Sequence, residues 1–433
     1  MMIAIYIKKS VPRLQYTVNL IFQTVLKVDY ILINNQQTFI QTDLPKISYC
    51  EQPISDEVHF HSTALLFENT ITSQQIDLQR SDDFPTFFPH NKNTILSYDA
   101  FAMIFYLVSR YEEYTETQQD KHGRFRADLS LAYQNNFLKI PLVNQLCSKI
   151  QNLIEAKYPK YIFPKQSFTF LPTYDIDYAW AYKNRSFKRT IGGYARTILT
   201  GNFSTLSARL QVQFGFKNDP FYVFDFLDDL HKKYQLSPIY FFLLGDYSQF
   251  DKNIPPHNSA FRKLITRLSE RYKTGLHPSY LSNSDFNQLI KEKKRLDEIT
   301  GKNTIRSRQH FLKLETPKTY QNLIKAGIKE DYTMGYATEI GFRASIATPY
   351  FWYDLKNEKA TNLLITPFQV MDVTLKNYLK LSPEKALEEI QTLIQNTKAV
   401  NGTFSTLWHN SSFDDKEWKG WREMYLEMIR IKY

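Results

Sequence analysis

From Phe168 onward, the sequence alternates segments typical of strands with segments typical of helices. The strand candidates are residues 168–177, 238–246, 272–277, 305–311, 331–336, 363–375 and 402–409. Helical segments, including residues 221–234 and 382–397, lie between most of them. Residues 238–246 are apolar up to a final Gly-Asp, a pattern typical of a strand buried on both faces of a parallel sheet. The alternation predicts an α/β fold, and polar residues at the strand ends favour a closed β/α barrel over an open sheet.

Residues 1–165 have a different pattern, because short strand-like runs are mixed with helices. We therefore predict an N-terminal accessory α+β domain over residues 1–165 and a β/α barrel domain over residues 166–433. The boundary is expected within residues 158–166, where the sequence YPKYIFPKQ contains two prolines. Residues 98–114 are expected to form one helix with an apolar stripe. The first half contains no nucleophile motif, phosphate loop or metal-ligand spacing.

Composition excludes several classes of protein. The 54 lysines and arginines exceed the 44 carboxylates by 10, which is too dilute over 433 residues to predict a nucleic-acid partner. The sequence contains no run of about 18 consecutive apolar residues, so no membrane span is predicted. The two cysteines, Cys50 and Cys147, lie far apart and indicate neither a disulfide framework nor a thiolate zinc site. The apolar run before Lys8 is too short for a signal peptide, so we expect a cytoplasmic protein in a reducing compartment.

Titratable or charged residues occur at the predicted carboxyl ends of five strands. In chain order they are Asp175 and Asp177, His277, Arg306 with Arg308 and His310, Asp331, and His409. Barrel enzymes assemble their sites at this end of the sheet. One histidine at a strand end is commonly structural, but five strands with such groups favour a site. Two or more imidazoles with a carboxylate are the ligand set of a catalytic zinc or similar divalent ion.

Competing chemistries lack their motifs. The sequence contains no GxSxG, GxGxxG, GxxxxGK[ST] or HExxH pattern. A nucleophile-elbow hydrolase, a dinucleotide-binding fold, a P-loop nucleotidase and a zincin protease therefore lose their main sequence support.

The order of the motifs resembles that of the polysaccharide deacetylases, the NodB-homology enzymes of carbohydrate esterase family four. The matching segments are TYDID, GLHPS, RSRQH, DY and LWH, and the resemblance covers about residues 168–433. The segments GLHPSY, SRQHFL, DYTMGY and GFRA look like a bacterial branch with an extra N-terminal domain of uncharacterised function. The resemblance implies a distorted β/α barrel of about seven parallel strands.

The resemblance also implies a metal-dependent hydrolase that removes acetyl groups from an N- or O-acetylated glycan or glycan precursor. The implied cofactor is a divalent metal, usually zinc, and the implied partner is a carbohydrate substrate. By position, Asp177 and His277 would be metal ligands and Asp175 the general base. His409 would be the general acid, with Arg308 orienting the base and Asp331 supporting His409.

The sequence departs from the family pattern in two places. The two aspartates are adjacent in the family, whereas Ile176 separates Asp175 from Asp177 here. Residues two apart on a strand point to the same side, so both carboxylates can still face one metal. The family's second histidine falls four residues after the first, where this chain has Leu281. His310 is the candidate replacement ligand; the alternative is a His310 that is hydrogen-bonded inside the barrel without a metal.

Two further residues are candidates for substrate binding. Arg343 in GFRA could clamp a sugar or an anionic substituent, or pair with a carboxylate such as Asp354 or Asp372. Trp408 could stack on a sugar ring or belong to the core. The leading hypothesis is the deacetylase-like hydrolase. The alternative is a catalytically silent barrel that binds glycan as an assembly module.

Overall fold

The computed structural model describes residues 2–81, 84–92, 94–185, 187–201 and 203–431. The N-terminal part contains a parallel sheet of four strands in the order β2-β1-β3-β4. These strands are β1 (Met2–Ile7), β2 (Asp29–Ile33), β3 (Lys46–Cys50) and β4 (Val58–His61). A separate antiparallel ribbon consists of β5 (Gln79–Ser81) and β6 (Phe84–Thr86).

In the described part of this half, six α-helices accompany these strands. They are α1 (Pro12–Asn19), α2 (Gln36–Gln41), α3 (Ala100–Val108), α4 (Glu112–Thr115), α5 (Leu131–Gln134) and α6 (Leu142–Lys157). The helix expected over residues 98–114 is interrupted between α3 and α4, because Arg110 adopts a left-handed conformation with φ of 56°. That conformation is unfavourable within a right-handed helix.

The second sheet has nine strands in the order β12-β13-β11-β10-β9-β8-β7-β15-β14. They are β7 (Thr169–Ile176), β8 (Ile239–Leu243), β9 (Lys273–His277), β10 (Arg306–Ser307), β11 (Glu330–Asp331), β12 (Tyr350–Asp354), β13 (Lys359–Ile365), β14 (Val370–Met371) and β15 (Thr403–His409). Every pair is parallel except β12 with β13. All five residues of β8 are buried, as expected for a central parallel strand.

Eight α-helices lie in the described residues of this second half of the chain. They are α7 (Phe187–Leu199), α8 (Phe203–Gln213), α9 (Phe224–Lys233), α10 (Ser259–Arg271), α11 (Phe286–Thr300), α12 (Lys318–Lys325), α13 (Pro383–Ala399) and α14 (Trp421–Ile431). Side-chain caps stabilise the N-termini of several helices. The side chain of Asn258 accepts from the backbone N–H of Phe261 at the start of α10, and that of Ser382 accepts from the backbone N–H of Lys385 at the start of α13. Within the described residues, no helix is both long and apolar enough to cross a bilayer.

The parallel α/β sheet is present, but its closure into a barrel is not confirmed. Within the described residues, the end strands β12 and β14 do not pair with each other. The strand expected over residues 363–375 is divided into β13 and β14. Between them, the backbone N–H of Thr366 donates to Asp331 and that of Gln369 donates to Ser405, so the chain crosses from β11 to β15.

The chain between α6 and β7 forms no helix or strand. This gap lies where the domain boundary is expected, and the division into residues 1–165 and 166–433 stays a prediction. Buried apolar side chains from both halves form one continuous cluster that includes Phe105 of α3 and Tyr353 of β12. Their rings meet edge to face, with centroids 5.2 Å apart.

A buried charge cluster joins the two halves of the chain. The carboxylate of Glu113 accepts from Nε of Arg110 at 2.8 Å and from Nε and Nη2 of Arg343, both at 2.9 Å. Glu113 and both arginines are almost fully buried. Burial opposes ionisation of Glu113, but the two guanidinium groups outweigh it and lower its pKa to about 2.

Acid is therefore expected to weaken this cluster. The fall of the Glu113 pKa from 4.5 to about 2 on folding corresponds to about 3 kcal/mol of stability. Because the folded pKa is the lower one, this contribution is complete above pH 4.5 and is lost as the pH falls toward 2. Urea denaturation would measure the free energy of unfolding of wild type and Glu113→Gln. The difference between the two should become smaller as the pH is lowered.

The exposed Glu298 provides the matched control, and Glu298→Gln should show no comparable pH-dependent difference from wild type. If Glu113→Gln lowered the free energy of unfolding by the same amount at neutral and at acidic pH, the result would contradict a stabilising role for the Glu113 charge. It would mean that the glutamate stabilises the fold through packing and not through its charge.

Candidate metal centre

The carboxyl ends of neighbouring parallel strands bring five predicted residues to one cavity of about 190 Å³. Asp175 and Asp177 lie at the end of β7, His277 ends β9 and His409 ends β15, while His310 follows β10. Apolar side chains complete the wall, among them Phe311, Leu312, Ala337, Met371, Val373 and Leu407. The predicted convergence of charged groups at one end of the sheet is thus found.

Asp177, His277 and His310 form a candidate metal site, with ligand atoms all within 4.8 Å of one another. Oδ1 of Asp177 lies 3.3 Å from Nε2 of His277, and its Oδ2 lies 3.7 Å from Nε2 of His310. One carboxylate and two imidazoles are the three protein ligands found in several catalytic zinc sites. Among the described residues, no other group of three or more potential ligand side chains has its ligand atoms this close together.

The hydrogen bonding of His277 tests whether a cation fits. Its Nδ1 lies 2.6 Å from the carbonyl oxygen of Arg308, which can only accept, so Nδ1 carries a proton, and in the neutral ring the lone pair is on Nε2. That lone pair faces Oδ1 of Asp177, a buried oxygen that accepts no hydrogen bond from the described residues. Two facing lone pairs repel unless a proton or a cation lies between them. The residues therefore fit a divalent ion.

His310 supplies the second imidazole, and Leu281 does not lie in the cavity wall. Leu281 begins a short 3₁₀ turn and is 51% exposed. The ring of His310 instead lies against that of His277, with centroids 5.0 Å apart. Burial lowers the pKa of His310, but the carboxylates of Asp177 and Asp251 outweigh it and raise the pKa to about 9. The cavity therefore favours positive charge at this position.

Asp251 is a site residue that the sequence did not indicate. It lies in the loop between β8 and α10 and is buried. Its Oδ1 accepts from Nδ1 of His310 at 2.9 Å and from the backbone N–H of Tyr280 at 2.8 Å, while Ser248 binds Oδ2. This arrangement turns Nε2 of His310 toward Asp177. A carboxylate behind a ligand histidine fixes the ring and increases its basicity.

Replacing Asp251 with asparagine is expected to weaken metal binding about 10- to 100-fold, the usual cost of losing such a carboxylate behind a ligand. Calorimetric titration with Zn²⁺ would measure the change. Asp372→Asn is the matched control, since Asp372 holds Nδ1 of His409, which is outside the three-ligand group. Equal losses in the two variants would show that the effect is not specific to the carboxylate behind His310.

Asp175 lies beside the ligand group and is held by Arg308. Nη1 of Arg308 donates to Oδ1 of Asp175 at 3.0 Å and to Oγ1 of Thr173 at 2.6 Å. The guanidinium is fully buried, lies over the ring of Phe241 and donates from Nε to the carbonyl of Tyr332. Oδ2 of Asp175 is 3.7 Å from Nε2 of His277. Arg308 therefore fixes the orientation of this carboxylate.

His409 approaches the same group from β15, with Nε2 3.9 Å from Oδ2 of Asp177. Asp372 accepts from Nδ1 of His409 at 2.9 Å and from its backbone N–H at 2.6 Å. Burial lowers the pKa of His409, but Asp372 outweighs it and raises the pKa to about 10. His409 is therefore a cationic donor at neutral pH.

The prediction that Asp331 supports His409 is corrected by this geometry, because Asp372 occupies that position. Oδ2 of Asp331 accepts from the hydroxyls of Ser307 and Thr333, and its Oδ1 accepts from the backbone N–H of Thr333. Burial raises the pKa of Asp331 to about 6. Asp331 thus joins β10 to the segment after β11.

The two residues proposed for substrate contact lie elsewhere. Arg343 is buried and bound to Glu113, so its partner is neither Asp354 nor Asp372. Trp408 is fully buried, and its ring lies against Tyr425 with centroids 5.0 Å apart. Trp408 faces away from the cavity because its neighbours on β15, Leu407 and His409, line it.

The N-terminal part contributes Arg124 to the cavity wall. Its Nη1 donates to the carbonyl of Phe311 at 2.7 Å, and Asp120 holds its Nε. Phe311 and Leu312 both have left-handed backbones, with φ of 59° and 51°, which is unfavourable for large side chains. Arg124 therefore supports the strained turn that follows His310.

The chain matches one family model and is similar to several solved structures. Residues 3–159 match the model of a family of unknown function, DUF7033. No curated protein matches the chain. Among solved structures, the chain is similar to a candidate polysaccharide deacetylase from Mycobacterium smegmatis, at 14% identity and a TM-score of 0.41. That match covers 62% of this chain and 85% of the other.

Two further solved structures each cover 62% of this chain, at 11% identity and a TM-score of 0.30. One is the polysaccharide deacetylase Bc1974 from Bacillus cereus, of which 89% is covered. The other is a mutant of BA3943, described as a CE4 family pseudoenzyme with restored enzymatic activity, of which 63% is covered. The structural neighbours of this chain thus include polysaccharide deacetylases at low identity.

Proposed function

We propose that the protein is a metal-dependent hydrolase that removes acetyl groups from an N- or O-acetylated glycan or glycan precursor. The observation that carries the proposal is the set of side chains in one cavity. Three ligand side chains converge there, with Asp175 and His409 at the edges of the group. The motif resemblance to polysaccharide deacetylases supplies the substrate class, and the same resemblance supports a distorted barrel as the interpretation of the sheet.

Asp177, His277 and His310 would hold the ion, and zinc suits this mixture of nitrogen and oxygen ligands. A bound divalent ion would polarise the acetyl carbonyl and make water a stronger nucleophile at neutral pH. Apolar side chains of Leu312 and Met371 line the same cavity and offer a surface for the acetyl methyl group.

Asp175 is the proposed general base. Its Oδ1 is engaged by Arg308, which leaves Oδ2, on the side of His277, to accept a proton from the attacking water. A base works only when it is held within hydrogen-bonding reach of the proton that it takes. The fully buried Arg308 supplies that restraint without itself entering the cavity wall.

His409 is the proposed general acid. Its raised pKa keeps Nε2 protonated at neutral pH, and Asp372 holds the other ring nitrogen. The proton on Nε2 can pass to the leaving amine nitrogen or alkoxide oxygen as the bond to the acetyl carbon breaks. Base and acid thus come from different strands, β7 and β15, that pair directly with each other.

Metal analysis and acetate release together test the proposal. Protein purified without chelator should contain a divalent ion and release acetate from N-acetylated or O-acetylated oligosaccharides. Chelation should abolish the release, and added Zn²⁺ should restore it. A protein that binds no divalent ion and releases no acetate, yet binds glycan, would be the catalytically silent module.

A further inference from the structure

The helical hairpin of residues 183–217 contains most of the excess positive charge of the chain. It consists of α7, α8 and the residues around them, and we call it the basic hairpin. Its 35 residues include no aspartate or glutamate. They include seven basic residues, against a net charge of +10 for all 433 residues: Lys183, Arg185, Lys188, Arg189, Arg196, Arg209 and Lys217. A local excess of this density marks a surface for an anionic partner.

The same hairpin exposes large apolar side chains. Leu199 is 86% exposed, Phe216 80%, Phe214 72% and Phe203 71%. Leucine and phenylalanine are usually buried, and a contiguous exposed set of them marks an interaction site. The combination of apolar and cationic groups on one element is therefore the feature that needs an explanation.

The exposed apolar residues follow the helical repeat. Ile191 and Ile198 on α7 are seven residues apart, so they share one face. On α8, Phe203 and Leu210 share a face in the same way, and Phe214 continues it immediately after the helix. Helix α7 is thus amphipathic, and each of the two helices has exposed apolar residues on one side that the described part of the protein does not cover.

The hairpin is nevertheless firmly attached at its base. The buried carboxylate of Asp219 accepts from the backbone N–H groups of Ala181, Tyr182, Lys183 and Phe221, at 2.7 to 3.1 Å. It therefore joins the start of the hairpin to the chain that follows it. The guanidinium of Arg189 donates to the carbonyls of Lys252 and Asn253, which ties α7 to the loop that carries Asp251.

The two helices also hold each other. The guanidinium of Arg209 on α8 lies against Gly193 on α7, so closely that a Cβ at that glycine would come 2.5 Å from Nη1. Arg209 also lies over the ring of Tyr182, 4.9 Å from its centroid. The apolar faces therefore belong to an ordered element with internal packing.

We propose that the basic hairpin docks the protein on the surface of an anionic lipid bilayer. The apolar side chains would enter the boundary between headgroups and acyl chains, and exposed cationic side chains such as Lys217 would contact anionic headgroups. The helices of the hairpin are 13 and 11 residues long, too short to cross a bilayer but sufficient to lie in its interface.

The chemistry favours lipid over the other anionic partners. Proteins that bind single-stranded nucleic acid use aromatic rings to stack on bases. A nucleic acid, however, offers no partner for aliphatic side chains such as Leu199, Ile198 and Ile191. An interface with a second copy of the chain would bring two carboxylate-free cationic hairpins together, and like charges repel. A bilayer with anionic headgroups complements both the aliphatic residues and the charge.

The hairpin leaves the sheet at the same end as the candidate metal centre. Asp177 lies six residues before Lys183 and directly follows β7, the strand that contains Asp175. Docking through the hairpin would therefore bring that end of the sheet to the lipid surface. The docking proposal itself does not depend on the proposed hydrolase activity, since lipid binding can be measured without substrate.

Vesicle flotation of the full-length protein tests the proposal. One set of vesicles contains phosphatidylcholine alone, and the other contains about 30 mol% phosphatidylglycerol in phosphatidylcholine. The protein should float with the anionic vesicles and not with the neutral ones, and added salt should weaken the binding because it screens the charges. No flotation with anionic vesicles at low salt would overturn the proposal.

Two variants locate the binding surface. Leu199→Asp combined with Phe214→Asp and Phe216→Asp should reduce binding at least about tenfold, since three inserted apolar groups are lost. Ile162→Asp is the matched control, because Ile162 is also apolar and exposed but lies outside the hairpin. Lys217→Glu should reduce binding by about fivefold or more. Lys294→Glu on α11 is its control.

Circular dichroism and the melting temperature check the fold of each variant, and Lys217→Glu remains informative if the triple variant does not fold. Wild-type binding in both hairpin variants would overturn the proposal. Binding to single-stranded DNA but not to vesicles would assign the hairpin to nucleic acid. Loss of self-association in the triple variant, without any vesicle binding by wild type, would assign it to a contact between copies of the chain.

Discussion

Asp175→Asn is expected to lower the turnover of an acetylated amino sugar by about two to four orders of magnitude, the usual contribution of a positioned general base. Asparagine keeps the shape of the side chain and can still accept from Nη1 of Arg308. It cannot hold the proton that the attacking water gives up. Because Asp175 is outside the group of three converging ligands, the variant should retain its metal. Acetate release and metal content, measured on the same preparation, check both statements.

Asp177→Asn is the matched comparison, since both aspartates lie at the end of β7 and differ only in their neighbours. The amide is a poorer ligand than the carboxylate, so this variant should lose metal as well as activity. The opposite pattern, with metal lost from Asp175→Asn and kept by Asp177→Asn, would exchange the two roles. If neither variant changed acetate release from any glycan, the hydrolase proposal would have to be abandoned.

The strand ends explain why much of the site could be predicted from sequence. Parallel strands place their carboxyl ends at one edge of the sheet, so polar residues that end separate strands must meet there. His277 and His409 end β9 and β15, and Asp177 directly follows β7, at the places that the hydrophobic pattern indicates. The two-residue spacing of Asp175 and Asp177 predicts two carboxylates on one side of the chain, and both line the cavity.

The partners of the histidines could not be predicted in the same way. Asp251 lies in the long loop between β8 and α10, and Asp372 follows the two-residue strand β14. Asp251 lies in a loop without a hydrophobic period, and Asp372 lies inside the strand predicted over residues 363–375, so the sequence singles out neither aspartate as the partner of a histidine. Only the folded chain shows that each is buried and lies 2.9 Å from Nδ1 of a site histidine.

The sheet itself shows a similar limit. The long strands β7, β8 and β15 were indicated by their apolar runs, whereas β10 and β11 have only two residues each and offer no measurable period. No strand was predicted for β12, which pairs antiparallel with β13 at the edge of the sheet. The expectation of a closed barrel rested on polar strand ends, and polar strand ends occur in open parallel sheets as well.

His310→Ala is expected to weaken metal binding about as much as His277→Ala, because each would leave only two of three protein ligands. Catalytic zinc sites usually retain three. The structure supports equal roles, since both imidazoles direct Nε2 toward Asp177 and both have Nδ1 engaged by a second group. Competition with a chromogenic zinc chelator would compare the affinities of the two variants and wild type.

His409→Ala distinguishes the loss of a metal ligand from the loss of the proposed general acid. Its Nε2 is also near Asp177, yet it lies outside the group of three converging ligands. This variant should keep its metal and lose activity, whereas the His277 and His310 variants should lose both. If only His277→Ala released metal, His310 would be a buried histidine bound to Asp251 and Asp177, and Leu281 would mark a ligand that the chain has lost. Metal loss from all three variants would instead place four protein ligands around the ion and leave His409 unable to donate a proton.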